Sequence, residues 1–234
     1  MTERRYVHDR ATYNQRAPKR VVPWLMEQFV IGSVLDAGCG LGTWTAVFAE
    51  HGCEVLGLDT GEVPEDMLQI PRERYRAVDF EVGVEAPGRF DLALCLEVAE
   101  HLTDPAGRRL VKLLTSISDL VLFSAAIPNQ GGDHHLNERW PLHWQELFEA
   151  HGYWCDDDIR WRFWDDEDVD WWYRQNMFIA RRGDQSAGSM QAVVHPRLLE
   201  KKVLAINDFY YGRVPVQTAA LVFMRTLLNA LRRR

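Results

Sequence analysis

The sequence has few cysteines and no excess of positive charge. Its 234 residues include four cysteines, which lie far apart and never take the C-x-x-C spacing: Cys39, Cys53, Cys95 and Cys155. Neither a zinc site nor a disulfide framework is therefore expected. Acidic residues outnumber basic residues by 34 to 27, which gives a formal net charge of −7. Because a general nucleic-acid-binding protein normally carries a basic surface, we expect no nucleic-acid partner.

Long hydrophobic runs are also missing. The sequence starts with polar residues rather than the apolar segment of an export signal, so a cytoplasmic location is the default expectation. Near the other end, Gln217, Arg225 and Asn229 interrupt an apolar stretch that falls short of the ~20 residues needed to cross a bilayer. We expect no stable membrane insertion. Helical spacing predicts a helix here that docks on the domain, forms a homodimer or contacts a membrane surface through the terminal arginines.

Apolar runs alternate with segments of helical periodicity along most of the chain. The predicted strands are 32–37, 53–59, 75–80, 90–96, 120–127, 159–164 and 176–180. Predicted helices begin near Pro18, Gly42, Pro105, Pro141 and Asp165. Alternation of this kind favours an α/β fold with a mostly parallel sheet.

Composition divides the chain into four parts. We predict an N-terminal leader and helix at 1–29, the main domain at 30–182, and a linker rich in Gly, Ser, Gln and Ala at 183–192. A C-terminal helical extension follows at 193–234.

The most informative stretch is Val34-Leu-Asp36-Ala-Gly38-Cys-Gly40-Leu-Gly42, in which an apolar run ends in an acid and three alternating glycines. The next apolar run ends on a second acid, Asp59. No Lys-Ser/Thr pair follows the glycines, and their spacing is not that of a dinucleotide-binding loop. Glycines here would let a ligand lie against bare backbone, while an acid at the tip of the neighbouring strand can accept both hydroxyls of a ribose.

Two further motifs follow in order, Val78-Asp79-Phe80 and Phe90-Asp-Leu-Ala-Leu-Cys-Leu96-Glu97-Val-Ala-Glu100-His101-Leu102. Together with the glycine stretch and Asp59, they resemble the class I S-adenosylmethionine-dependent methyltransferases. The resemblance covers roughly residues 30–182. It implies a Rossmann-like fold, a mostly parallel seven-stranded sheet with helices on both faces, to which the C-terminal helical extension is added.

The resemblance also implies S-adenosylmethionine as cofactor and a set of residues that would bind it. Asp36 would organise the turn and contact the ligand only indirectly, and Asp59 would bind the ribose. Asp79 and Phe80 resemble the adenine contacts of the family. The predicted cofactor-binding residues are Asp36, Gly38, Gly40, Gly42, Asp59, Thr60, Asp79, Phe80, Leu96 and Glu97.

A polar loop after the fifth strand is the candidate acceptor site. An alcohol must lose a proton when it is methylated, and a neutral imidazole accepts one near pH 7. His135 is the first candidate for this base and His134 the second. The predicted substrate-binding residues are Asp133, Asn137, Glu138 and Trp140, of which Asn137 and Glu138 would orient the imidazole or bind acceptor hydroxyls.

The sequence leaves several alternatives open. We expect O-methylation of a small-molecule hydroxyl, on a sugar or a natural-product intermediate. N- or C-methylation would need no histidine base, and a scaffold that binds the cofactor would need no acceptor chemistry. The paired histidines, with Asp133 and Glu138 nearby, could instead bind a divalent metal, although we predict no metal because the acids expected after the fourth strand are not clearly matched.

Overall fold

The computed structural model describes residues 14–60, 63, 65–184 and 188–232, with the side chains of the last helix described as far as residue 224. The predicted leader at 1–13 and the linker residues 185–187 lie outside the described residues. Chain contacts define two compact units, Met1–Val193 and Val194–Arg234.

The first unit alternates strands with helices. Its strands are β1 (Ser33–Ala37), β2 (Glu54–Asp59), β3 (Tyr75–Ala77), β4 (Leu92–Leu96), β5 (Leu120–Ser124), β6 (Tyr153–Asp156) and β7 (Phe178–Arg182). Its helices are α1 (Arg16–Gln28), α2 (Thr43–Glu50), α3 (Asp104–Ile117), α4 (Pro141–Glu149), α5 (Asp158–Phe163) and α6 (Trp171–Asn176).

The seven strands form one sheet in the order β3-β2-β1-β4-β5-β7-β6, which confirms the predicted fold class. Strands β1 to β5 run parallel, whereas β7 is antiparallel to both β5 and β6. The chain order reverses between β1 and β4, because β1 pairs with β2 on one side and with β4 on the other. In open α/β sheets, ligands bind at such a reversal, beyond the carboxyl ends of the strands.

Both faces of the sheet are buried. In β1, Val34 packs into a core with α1 and α2, while the next residue, Leu35, packs into a second core with α3 and α4. Successive strand residues point to opposite faces, so both must be apolar when helices cover both sides. This pattern explains why β4 is apolar along its whole length and why the adjacent residues Val34 and Leu35 of β1 are both apolar.

One predicted strand is wrong. Residues 159–164 were expected to form a strand, but they fall on α5, and the strand before β7 is the shorter β6. Ile159 and Phe163 are four residues apart and both are buried, as on one face of a helix. Arg160 is also buried, paired with Asp157 at 2.6 Å, whereas Trp161 is half exposed. The alternation Ile159, Trp161, Phe163 therefore mimicked a strand.

The C-terminal unit contains two helices, α7 (Pro196–Tyr210) and α8 (Val216–Arg232). Both lie within the helical extension predicted at 193–234, although the helical spacing was traced only through α8. Among the residues that the structure describes, no helix is both long enough and apolar enough to cross a bilayer.

Candidate active site

The three glycines after β1 form a tight turn at the carboxyl edge of the sheet. Gly38, Gly40 and Gly42 have φ angles of +86°, +54° and +77°. Residues that carry a Cβ rarely adopt positive φ angles. Gly42 directly precedes α2, which begins at Thr43. The turn therefore presents bare backbone at the amino end of a helix, as the sequence predicted.

Gly38 is also required by space. A Cβ at this position would lie 2.1 Å from Cγ2 of Val98, which follows the end of β4. The turn after β1 and the segment after β4 thus pack closely at the point where the strand order reverses. Only glycine fits between them without displacing one of the two segments.

Asp59, at the end of β2, is joined to the glycine turn. One carboxylate oxygen accepts the backbone N–H of Gly40 at 2.6 Å, and the other accepts the backbone N–H of Thr60 at 2.6 Å. Each oxygen of a carboxylate has two lone pairs, so Asp59 can still accept hydrogen bonds from a ligand. The half-buried acid and the turn form one structural unit.

Asp36 lies beneath this turn. Its side chain is buried and accepts a hydrogen bond from Thr45 Oγ1 at 2.7 Å, which links β1 to α2. Burial raises the pKa of Asp36 to about 7, and the nearby charge of Asp59 adds to the rise against the lowering effect of the Thr45 bond. The predicted indirect role of Asp36 in cofactor binding stays a prediction, and its described side-chain partner is Thr45.

The residues predicted to contact adenine follow β3. Asp79 is exposed, and its carboxylate accepts the backbone N–H of Glu81 at 2.8 Å, which stabilises the local turn. Phe80 is buried in the core that also contains residues of α3. Thr60 is exposed beyond the tip of β2. Contact of Asp79 and Phe80 with adenine, and of Thr60 with the cofactor, stays a prediction.

Glu97 follows Leu96 at the carboxyl end of β4 and has an unusual backbone. Its φ angle is +56°, which is uncommon for a residue with a side chain, and such strain clusters at functional sites. Its backbone N–H donates to Ser124 of the neighbouring strand, and its carboxylate accepts from the side-chain amides of Asn176 and Gln130 at 3.0 and 3.2 Å. Burial raises the pKa of Glu97 despite these hydrogen bonds.

The sequence analysis missed the amides that hold Glu97. Gln175 and Asn176 end α6 and are buried, and both bond to Oε1 of Gln130 at 2.9 and 3.0 Å. In the sequence, these two adjacent amide residues stand just before the apolar start of β7, a pattern that could have indicated a buried polar network. Amides seldom enter a core unless they satisfy a specific polar partner. Here Asn176 donates to Glu97, and Gln175 donates to Gln130.

In the acceptor loop, Glu138 acts as the internal anchor. Its two carboxylate oxygens accept the backbone N–H groups of Asn129 and Gly131, each at 2.7 Å. It also accepts from Nδ1 of His135 at 2.9 Å. Burial alone would raise the pKa of Glu138, but the bonds from His135, Gly131 and Asn129 outweigh it and lower the pKa. Glu138 therefore stays ionised and closes the loop on itself.

His135 is oriented by this carboxylate. Because an ionised carboxylate is only an acceptor, Nδ1 of His135 must carry the hydrogen, which leaves a lone pair on Nε2. The ring is largely buried and meets His101 edge to face, with a centroid distance of 4.9 Å. The imidazole is therefore held in the tautomer that can accept a proton or bind a cation through Nε2.

The other residues predicted at the acceptor site differ from His135 in their exposure and their partners. His134 is exposed with a φ angle of +59°, and Asp133 is exposed next to it. Asn137 does not orient the imidazole as expected: it is buried, and its side-chain oxygen accepts from Arg139 at 2.8 Å. Trp140 is partly exposed directly before α4. Substrate contact by these residues stays a prediction.

One further cluster, Glu100, His101 and His135, offers ligand atoms that all lie within 4.8 Å of one another. Glu100 is buried, and neither carboxylate oxygen has a hydrogen-bond donor among the described residues. Burial and the nearby charge of Glu97 raise the pKa of Glu100 well above its usual range. Burial, with the neighbouring His135, lowers the pKa of His101 to about 4. A carboxyl group beside two imidazoles is a set that could hold a divalent metal ion, which would displace the proton of the acid when it binds.

Comparison with known proteins identifies the family. A family model described as a methyltransferase domain matches residues 6–176, which is well over half of the chain. With this match, the seven-stranded sheet and the glycine turn, the chain belongs to the class I S-adenosylmethionine-dependent methyltransferases.

Curated relatives match a smaller part of the chain. The ubiquinone biosynthesis O-methyltransferase of Pseudomonas paraeruginosa is 37% identical over 105 residues, covering 39% of this chain and 45% of that protein. The enzyme of the same name from Acinetobacter baylyi is 37% identical over 81 residues, covering 31% and 34%. The matched segments span less than half the length of these relatives.

Solved structures share the fold. An amino pentose methyltransferase from Micromonospora echinaspora, solved with bound S-adenosylmethionine, has a TM-score of 0.55 at 17% identity, covering 78% of this chain and all of that one. A sugar N-methyltransferase from Streptoalloteichus has a TM-score of 0.56 at 14% identity, covering 74% and 88%. At these identities the likeness shows the fold alone.

Proposed function

We propose that this protein transfers a methyl group from S-adenosylmethionine to a hydroxyl oxygen of a small molecule, with His135 as the general base. The observation that carries the proposal is the oriented imidazole of His135. Glu138 fixes its tautomer on a loop that follows β5, at the same edge of the sheet as the glycine turn. An acceptor bound between these two segments would lie beside both the cofactor and the base.

In the proposed reaction, the acceptor oxygen attacks the methyl carbon of the sulfonium from the side opposite sulfur. The new oxygen–carbon bond forms as the sulfur–carbon bond breaks, and sulfur keeps the electron pair to become the neutral thioether of S-adenosylhomocysteine. The hydroxyl proton passes to Nε2 of His135, and the adjacent Glu138 stabilises the resulting imidazolium. Much of the remaining rate enhancement would come from holding the two reactants in line.

The cofactor half of the proposal rests on the unit formed by the glycine turn and Asp59. Bare backbone at the turn accommodates the methionine and ribose portions, and Asp59 accepts the ribose hydroxyls. The names of the relatives, an O-methyltransferase and two sugar methyltransferases, support a small-molecule acceptor for this chain.

The test is transfer of a labelled methyl group. The protein is incubated with methyl-deuterated S-adenosylmethionine and pools of hydroxylated sugars, phenols and amines, and products are analysed by mass spectrometry. We expect a labelled methyl ether from one pool, and Asp59→Ala should strongly reduce its yield when the cofactor is below saturation. A labelled amine product would show that the reaction is N-methylation rather than O-methylation. Cofactor binding without product from any pool would favour a scaffold.

The cluster of Glu100, His101 and His135 favours a second mechanism for the same transfer. A divalent cation held there would lower the pKa of a bound hydroxyl, and His135 would then be a ligand rather than a base. His101→Ala separates the two mechanisms. It should leave most of the turnover if His135 is the base, and abolish turnover if a cation is needed.

Metal removal gives an independent answer. Dialysis against a chelator should leave turnover unchanged in the base mechanism. In the metal mechanism, the chelator should stop turnover and added Mn²⁺ or Zn²⁺ should restore it, with calorimetric binding of the ion that Glu100→Gln removes.

A further inference from the structure

The C-terminal unit has a charge opposite to the rest of the chain. Residues 194–234 contain eight basic and two acidic side chains, a formal charge of +6. The preceding residues hold the other nineteen basic and thirty-two acidic side chains, a formal charge of −13. From residue 209 onward there are five arginines and no acid. The unit would therefore be attracted to an anionic surface even though the whole chain is acidic.

Helix α7 has an uncovered apolar face. Leu199, Val203, Ile206 and Tyr210 recur at intervals of three and four residues, which places them on one side of the helix. All four are exposed, with Ile206 at 66% and Tyr210 at 81%. Polar residues of α7, such as Glu200, fall on other sides of the helix.

Helix α8 repeats this design. The sequence places Val216, Ala220, Phe223 and the later leucines 227 and 231 on one side, and Arg225 on the other. Val216 and Phe223 are exposed.

The turn between the helices is aromatic and basic. Phe209, Tyr210 and Tyr211 are consecutive and exposed, and the guanidinium of Arg213 lies 5.3 Å from the centre of the Tyr211 ring. Tyrosines favour the boundary between acyl chains and headgroups, because the ring is apolar and the hydroxyl remains in contact with water.

We propose that the C-terminal unit binds an anionic lipid surface, with α7 and α8 lying in the plane of the interface. Amphipathic helices with apolar and aromatic residues on one side and basic residues beside them bind membranes in this way. Basic groups add attraction to anionic headgroups. Among the described residues, no helix could span the bilayer, which agrees with surface binding.

Other occupants fit less well. A second copy of this unit would bring two +6 charges together, which opposes self-association through these helices. A nucleic acid would satisfy the arginines but leave the apolar faces in water. The proposal does not depend on methyl transfer, so it can fail or hold whatever the acceptor is.

The test is co-sedimentation of the full chain with vesicles. One set is phosphatidylcholine alone, and the other is phosphatidylcholine with phosphatidylglycerol. We expect binding at least about tenfold tighter to the anionic vesicles, and a loss of that preference at high salt, since salt screens charge.

Matched variants assign the binding to this unit. Ile206→Asp with Phe223→Asp should weaken binding by about tenfold or more, because both introduce a charge into the apolar faces. Val30→Asp with Val82→Asp makes the same chemical change at two exposed apolar positions of the first unit and should have little effect.

A second pair of variants tests the charge. Arg213→Glu with Arg225→Glu should reduce anionic binding by about tenfold or more. Lys19→Glu with Lys112→Glu alters the net charge equally at exposed sites of the first unit and should reduce it far less. Circular dichroism should show unchanged helix content in all four.

Three results would overturn the proposal. One is the absence of binding to anionic vesicles at low salt. Another is equal loss of binding in the first-unit controls. The third is a concentration-dependent dimer in light scattering that Ile206→Asp with Phe223→Asp dissociates, because the apolar faces would then cover each other between two copies.

Discussion

The glycine turn at 36–42 and the acceptor loop at 129–140 lie at the same edge of the sheet but are built differently. The turn is defined by backbone, with three positive φ angles, one close approach to Val98 and one carboxylate that binds Gly40. The loop is defined by side chains, with Glu138 holding His135 and two backbone N–H groups. A backbone-defined region can bind one conserved cofactor chemistry, whereas a side-chain-defined region can be changed to suit an acceptor.

The largest expected effect separates the two regions by function. His135→Ala should lower turnover by about a hundredfold to ten-thousandfold, the range for a lost general base, and leave cofactor affinity unchanged. Steady-state kinetics and calorimetry measure the two quantities. His134→Asn is the matched control, because asparagine tolerates the positive φ angle of this exposed position. Equal losses in both variants would remove the distinction between the two histidines.

The next variant disturbs the backbone of the glycine turn. Gly38→Ala should destabilise the fold by about 2 to 5 kcal/mol, from a strained φ angle and the overlap with Val98, and should greatly weaken cofactor binding. Gly52 has the same φ angle of +86° but no atom within 4 Å of an added Cβ. Gly52→Ala should therefore cost only about 1 to 2 kcal/mol in denaturant unfolding. Similar losses in both variants would contradict a steric role for Gly38.

A third variant tests the buried support under the turn. The pKa of Asp36 is raised to about 7, so the neutral acid favours the folded state, and this stability is lost as pH rises from about 4 through about 7. Wild type should lose about 2 to 3 kcal/mol through this group between about pH 5 and pH 8, and Asp36→Asn should not.

The measurement is urea unfolding at both pH values. Asp91 is the opposite control, because the backbone N–H of Gly32 is the main cause that lowers its pKa, with Ser33 adding to the effect against a smaller rise from burial. Asp91 is ionised at both pH values, so Asp91→Asn should reduce stability about equally at each. An unchanged pH dependence in Asp36→Asn would show that Asp36 titrates normally.

The smallest expected effect concerns a hydrogen bond between α2, which follows the glycine turn, and α6. Trp44 Nε1 in α2 donates to the hydroxyl of Tyr173 in α6 at 3.3 Å. Tyr173→Phe should cost about 1 kcal/mol of stability, the net value of one hydrogen bond, without changing cofactor affinity. Tyr210→Phe, at an exposed hydroxyl in α7, should leave stability unchanged. A large loss of cofactor affinity in Tyr173→Phe would mean that this link shapes the glycine turn.

The tight turn of the three glycines beside Asp59 could be predicted from the sequence because its features are local. The glycines, the apolar runs of β1 and β2 and the acid near each strand end lie within 26 residues, from 34 to 59. Regular strand and helix periods then determine where they meet in space.

The acceptor region could be predicted only in part. His135 and Glu138 are only three residues apart, so their pairing could be predicted from the sequence. Glu97, Gln130 and Asn176 come from three distant segments, and their network exists only after the sheet and α6 have formed. The burial of Asn137 was not predicted, because polar residues in a loop are usually exposed, whereas here the side chain points inward and accepts from Arg139.

The most direct test of the central claim is calorimetric titration of S-adenosylmethionine into wild type, Asp59→Ala and His135→Ala. We expect binding to wild type, a loss of about tenfold to a hundredfold in Asp59→Ala from its lost charged hydrogen bonds, and wild-type affinity in His135→Ala. A wild-type protein that binds no S-adenosylmethionine, or an Asp59→Ala protein that binds it as tightly as wild type, would show that the glycine turn and Asp59 are not the cofactor site.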